Sequence, residues 1–269
     1  MSPLIASVFR TGARAGLAAL LGAGVLAGAQ AQTLVPGSLK VALEATYPPF
    51  ESYDGDKIVG FDPDLTALLT REMKLKHTLV DTKFINLVPG LAANQHDAVV
   101  SGLYVTNERL AQADAVPYAN TGALILVAKD SKVQPKTEKD LCGLKVGLQA
   151  GTAWVKQLQT LSSDYCKSAG KAAVNVMEFP TAPEVSQAVM ARNVDAQMEI
   201  AGAAKMIVER TKGRMAISSP DLVYPQTLGL YVKKGNTALL KAFQDAMVAI
   251  KKTGEYDALI KKYDLSPVK

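Results

Sequence analysis

The chain is short of the side chains that most often do chemistry. Its only histidines are His77 and His96, and neither stands in a metal-ligating or catalytic-triad constellation, so both are read as surface residues. Its only cysteines, Cys142 and Cys166, match no zinc or redox spacing. No metal site and no cofactor is therefore expected. Lysines are scattered, as in Lys251-Lys252 and Lys261-Lys262, and no basic run is interleaved with aromatics. That speaks against a nucleic-acid partner and leaves solvated helix faces as their reading. No apolar run after the first thirty or so residues is long enough to span a bilayer.

What is present begins with a leader. Met1 to Arg14 carries Arg10 and Arg14 and no acid, Ala15 to Ala27 is an unbroken small-apolar run, and Ala29-Gln30-Ala31 offers a small-x-small cleavage site before Gln32. Residues 1–31 thus read as a secretory signal peptide. Ala29 stands where a lipoprotein signal needs cysteine, so the mature chain is expected free in the periplasm. Loss of the leader removes two arginines and no acid, which lowers the net charge from +5 to +3. In an oxidising compartment Cys142 and Cys166, close in one segment, are expected to pair, stabilising by roughly 3–4 kcal/mol.

The rest alternates strand and helix signals and is long enough for two cores. Leu39 to Glu44 has the period of a strand, with Glu44 at its carboxyl end and the rigid Tyr47-Pro48-Pro49-Phe50 beyond. Asp62 reads as the cap of a helix with Pro63 in its first position, and Leu65, Leu68, Leu69 and Met73 as its buried stripe. Strands are expected around Thr78 to Val80, Ala98 to Ser101 and Ala123 to Ala128, and a short helix follows Phe84. Strand, helix, strand, helix, strand predicts a parallel α/β sheet with its crevice at the strands' carboxyl ends. From Lys129 to Asp140 the composition turns polar, as in a crossing to a second lobe. That lobe has a strand over Leu144 to Gln149, a turn at Ala150-Gly151-Thr152, a helix stripe at Val155, Leu158 and Leu161, and a capping box at Thr181-x-x-Glu184. Val194 to Ile200 is then a strand, Leu228 to Val232 another, and two amphipathic helices close the chain.

Between them lies Asp97 to Gly122, organised around Arg109. Thr106 is a candidate N-cap, with Glu108 and Arg109 in the first helical turn. An arginine there is misplaced in the helix dipole unless an anion faces it. Either a bound anion meets it, or a local carboxylate such as Glu108 or Asp114 does.

The ordered set Tyr47-Pro48-Pro49-Phe50, Gly60-Phe61-Asp62-Pro63-Asp64-Leu65, Ser101-Gly102-Leu103, Thr106-x-Glu108-Arg109, Pro117-Tyr118, Val146-Gly147-x-Gln149-x-Gly151-Thr152, Val194-Asp195-Ala196 and Tyr231-Val232-Lys233-Lys234-Gly235 resembles the extracytoplasmic solute-binding proteins of polar amino-acid ABC importers, family 3, over about Leu39 to Tyr263. The resemblance implies an α/β two-lobed periplasmic binding protein of type II, a flytrap with two hinge strands. Residues 32–122 and 223–269 would form lobe 1 and 123–222 lobe 2. It implies a monomer that captures an amino acid or related small carboxylate between its lobes and delivers it to an ABC permease in the inner membrane. Arg109 would grip the α-carboxylate, with backbone donors at Gly102, Gly151 and Thr152. Tyr47 and Phe84 would be aromatic walls, and Glu44 an acid facing the ligand's side chain or amine. Two positions depart from the pattern. Tyr104 replaces the usual serine or threonine, where its ring either shrinks the pocket or stacks on the ligand. Ile200 occupies the place of the aspartate that holds the α-ammonium, and Glu199 one residue earlier is either a cleft acid or a lobe-surface charge. An exported enzyme resembling cyclohexadienyl dehydratases, with Glu199 or Glu44 as general acid, is the competing reading of the same scaffold.

Overall fold

The alternation Leu39, Val41, Leu43 forms β1 (Ser38–Leu43), with these side chains buried and Lys40 facing water. The computed structural model describes residues 32–268, so the leader lies outside the described residues. After β1 comes a feature that the sequence does not announce. β2 (Thr46–Tyr47), β3 (Glu51–Asp54) and β4 (Lys57–Val59) pair as a small antiparallel sheet around the Asp54-Gly55-Asp56 turn. It carries Tyr47 to the edge of the crevice.

Helix α1 (Phe61–Glu72) starts one residue before the expected cap. Gly60 is the capping position, with φ +137, and a Cβ there would lie 2.2 Å from Phe50 O. No L side chain fits that conformation and space. Asp62 is inside the helix and fully buried, so its carboxylate serves a different partner, described below. The stripe Phe61, Leu65 and Leu69 packs into the main core.

β5 (Lys76–Asp81), α2 (Leu87–Ala92) and β6 (Ala98–Val99) follow, with β5 and β6 both parallel to β1. His96 corrects the surface reading: it is buried, its Nε2 2.8 Å from Leu87 O, whereas His77 is exposed. Helix α3 (Asn107–Gln112) has only six residues, and β7 (Ala113–Ala128) begins directly after it, well before the strand expected from Ala123. The first part of β7 lies antiparallel to β12 (Val223–Lys233), and its last residues pair with β10 (Ala196–Ile200) and β11 (Met215–Ile217).

The second group of elements is β8 (Lys145–Gln149), α4 (Ala153–Leu161), β9 (Asn175–Phe179), α5 (Ala182–Met190) and α6 (Ala201–Arg210). In α4 the buried stripe is Trp154, Leu158 and Leu161, with Val155 only half-buried. Thr181 caps α5 by accepting from Glu184 N–H at 3.4 Å. Cys142 and Cys166 are joined, Cα to Cα 5.6 Å, and tie the entry of β8 to the turn after α4. The chain returns through β12 into α7 (Thr237–Lys252) and α8 (Glu255–Lys262), which pack with α1.

One curled sheet of order β5-β1-β6-β12-β7-β10-β8-β9 runs through both groups. The two long strands β7 and β12 stand at its centre, between β5-β1-β6 and β10-β8-β9. Parallel β5-β1-β6 on one side and β10-β8-β9 on the other point their carboxyl ends into a common crevice.

Candidate functional site

Arg109 occupies the crevice between the halves. Thr106 caps α3 by accepting Arg109 N–H at 3.3 Å, and the guanidinium donates to Tyr104 O at 2.8 Å and to Gly151 O, from the opposite half, at 3.2 Å. The Phe84 ring lies 5.6 Å beneath it. Among the described residues no carboxylate forms an ion pair with it, since Asp114 is taken by Lys234 Nζ and Gly235 N–H, both at 2.8 Å. The local-pair reading is thereby corrected. Burial lowers the pKa of this cation, the sign of a charge without a counter-charge.

Glu199 faces Arg109's crevice from β10. On a strand Gln197 and Glu199 share a face, and Gln197 Nε2 donates to Glu199 Oε1 at 2.8 Å. From the other half Tyr47 O–H donates to Glu199 Oε2 at 2.6 Å, and Ile200 N–H donates to the Tyr47 oxygen at 3.3 Å. Glu199 is buried, so the lobe-surface reading falls. Its removal from water pushes its pKa up to about 7, although the Tyr47 and Gln197 hydrogen bonds pull the other way. Glu44 lies further back. One of its oxygens accepts Phe84 N–H at 3.2 Å and the other the side-chain amide of Gln149, so Gln149 stands between Glu44 and the crevice. Burial raises its pKa also.

Two expected backbone donors are already used. Gly102 N–H donates to Asp62 Oδ2 at 2.8 Å. Thr152 donates both N–H, at 3.3 Å, and hydroxyl, at 2.9 Å, to Gln149 O. Gly151, at φ +81 and packed under Ile85, presents its carbonyl to Arg109. The first-turn amides of Ala153 and Trp154, which have no carbonyl within α4 to donate to, are free donors at this helix start.

Beneath Gly102 two acids are buried together. Ser101 O–H donates to Glu51 Oε1 at 2.7 Å and accepts Glu44 N–H at 3.1 Å, while Asp62 holds Gly102. Glu51 Oε2 and Asp62 Oδ1 find no other donor. Burial and the charge of Asp62 raise the pKa of Glu51 well above the carboxylate range. This pair fixes the turn from which Tyr104 and Arg109 depart.

The crevice narrows around a small space of about 20 Å³ lined by Tyr47, Phe84, Gly102, Tyr104, Arg109, Gln149, Thr152, Ala153, Trp154, Glu199 and Ile200. Of the residues expected at the site, Gly151 lies instead in the wider cleft outside Arg109, and Glu44 sits behind Gln149. Sequence reasoning missed Gln149, Gln197 and Trp154. Only Gln197 carried a signal, its two-residue offset from Glu199.

Residues 39–266 match the family of bacterial extracellular solute-binding proteins, family 3. The chain belongs to that family. The L-cystine-binding protein TcyJ of Escherichia coli (strain K12) is 30% identical over 230 residues, covering 84% of this chain and 82% of TcyJ. Among solved structures, an ancestral arginine-binding protein bound to arginine superposes with a TM-score of 0.76 at 31% identity, over 84% of this chain and 98% of that one. The ancestral amino acid-binding protein AncCDT-1, a precursor of cyclohexadienyl dehydratase, does so with a TM-score of 0.69 at 30% identity, over 84% and 95%. The two-lobed solute-binding fold expected from the sequence is thus the fold of this family member, and among the described residues no helix is long and apolar enough to cross a membrane.

Proposed function

We propose that this family-3 protein is the periplasmic receptor of an ABC importer and that it holds an amino acid between Arg109 and Glu199 without transforming it. The observation that carries this reading is the half-buried guanidinium with no ion-pair partner among the described residues, opposite a buried acid that lines the same space. Those two groups match the α-carboxylate and α-ammonium of a zwitterion. Arg109 keeps N–H groups beyond the two that it gives to carbonyls, and the first-turn amides of α4 complete the carboxylate's shell. Glu199 accepts the ammonium in place of the aspartate that Ile200 has displaced. The relatives named as cystine-binding, arginine-binding and amino acid-binding proteins support an amino-acid ligand. Lobe 1 is then 32–122 with 223–269 and lobe 2 is 123–222, a division supported by β7, whose pairing with β12 ends at Ala123, where its pairing with β10 begins. Cleavage after Ala31, a monomeric state and handover to an inner-membrane permease belong to the same reading.

The test is a melting-shift screen of amino acids, opines and small organic acids, where a ligand at 100 times its Kd adds about 2.7 kcal/mol. Calorimetry on Arg109→Lys with the best ligand follows. An ammonium cannot reproduce the two-pronged contact, so affinity falls by about 30-fold to several thousand-fold, as for roughly 2–5 kcal/mol. Binding within a few-fold of wild type sinks the clamp. The dehydratase reading has one observation in its favour, a carboxyl of pKa about 7 at Glu199 held by the Tyr47 hydroxyl. Turnover of prephenate measured beside the screen separates enzyme from receptor.

A further inference from the structure

With Arg109 and Glu199 assigned to the two charges of an amino acid, what remains in the cavity describes the side chain. Tyr104 and Trp154, one from each lobe, line it and are only 4% and 3% exposed, their rings meeting edge to face at 5.6 Å. The Tyr104 hydroxyl and the Trp154 indole nitrogen are both buried and both without a hydrogen-bond partner. Each is a donor, and the indole is a donor only. Buried donors left unmet cost stability, and two of them on residues that line the same space mark a place where an acceptor belongs.

Charge narrows the choice. The charged groups that line the cavity are Arg109 and Glu199, and the zwitterion balances them. Glu44, the remaining acid nearby, has both oxygens engaged by Phe84 N–H and Gln149 and does not line the cavity, so no free carboxylate waits for a distal cation. A side-chain anion meets Glu199 and Glu44 at short range with no second cation lining the space. A third charge of either sign is therefore uncompensated in a buried volume.

We infer that the ligand is a neutral amino acid whose side chain carries a hydrogen-bond acceptor, received by the Tyr104 hydroxyl and the Trp154 indole N–H. A carboxamide oxygen, with two lone pairs for two donors, is the group that fits best. This rests on the amino-acid receptor reading above and goes beyond it by naming the side chain. It also gives Tyr104, the departure from the family pattern, a role as a specificity determinant in place of a mere filler.

The experiment is calorimetry of the purified protein with asparagine and glutamine, with their charged isosteres aspartate and glutamate, with apolar leucine and norvaline, and with arginine and lysine. The expected result is that a carboxamide binds at least about 10-fold tighter than the acid, apolar or basic members. Tyr104→Phe and, separately, Trp154→Phe then reduce the preference of carboxamide over norvaline by about 10-fold while norvaline affinity stays within a few-fold. Tyr104→Phe removes one oxygen, so it remains informative if the tryptophan variant folds poorly. Arginine, lysine, aspartate or glutamate binding tightest overturns the inference, as does a tightest apolar ligand or an unchanged preference in Tyr104→Phe. In those cases loss of binding in Arg109→Ala still upholds the receptor reading. Failure of every amino acid to bind overturns the receptor reading and this inference with it.

Discussion

Glu199 is taken out of water before any ligand arrives, and the cost is visible in its proton affinity. Tyr47 and Gln197 donate to it, while Glu44 and the Tyr104 ring bring no positive charge near. With a pKa of about 7 the carboxyl is largely protonated at pH 6. An ammonium demands the ionised form, so binding at pH 6 releases a proton and affinity falls by up to about tenfold per unit below the pKa. The sign for stability is opposite. A carboxyl whose folded pKa is raised favours the unliganded fold fully below its unfolded value, and that contribution is lost as pH rises through about 7. Calorimetry in buffers of different ionisation enthalpy reads the released proton directly. In Glu199→Gln the release vanishes; wild type exchanging no proton at pH 6 refutes the role given to Glu199.

Among the elements, the disulfide has consequences confined to lobe 2. It closes a loop of sequence separation 24 that contains β8 and α4, so the double variant Cys142→Ser, Cys166→Ser should lose roughly 3–4 kcal/mol in denaturant unfolding. Neither cysteine lines the cavity, and ligand affinity should stay within a few-fold; a large loss of affinity with stability intact contradicts this. The elements were legible wherever burial follows a local period. β1, α1, α5 and α7 each bury one face, and Thr106 and Thr181 cap as their spacing requires. What escaped depends on partners distant in sequence. β7 starts at Ala113, well before the strand expected from Ala123, because β12, over a hundred residues away, offers it a ladder from Ala113 onward. Asp62 abandons its expected cap for Gly102, and His96 is buried by its bond to Leu87. At the site, Arg109 was legible because a charge at a helix start needs an answer. Trp154 and Gln149 were not, because nothing local separates a core aromatic or a strand-end amide from a cavity wall.

At the scale of the molecule, closure is already held by protein groups. Tyr47 to Glu199, Gln149 to Glu44 and Arg109 to Gly151 O all cross between the lobes. A ligand that touches both Arg109 and Glu199 adds to the closed form alone and shifts the population by its differential affinity. Solution scattering should therefore show a smaller radius of gyration with saturating ligand, and superimposable curves with and without it count against the flytrap motion.

Val223 pairs with Ala123, so the chain leaves for lobe 2 and comes back from it at neighbouring points on adjacent strands. Asn236, after that return, still donates to Gln32 O at the beginning of the described chain, at 2.9 Å. On the proposed division, lobe 2 is a cassette inserted into lobe 1. Glu199, Trp154 and the start of α4 ride on the cassette, while Arg109 and Tyr47 stay on the host. Swapping the cassette between family members at these two seams exchanges Glu199, Trp154 and the α4 amides and leaves Arg109 and Tyr104 in place. Specificity in this architecture is modular in the same sense as a tool with interchangeable jaws and a fixed handle.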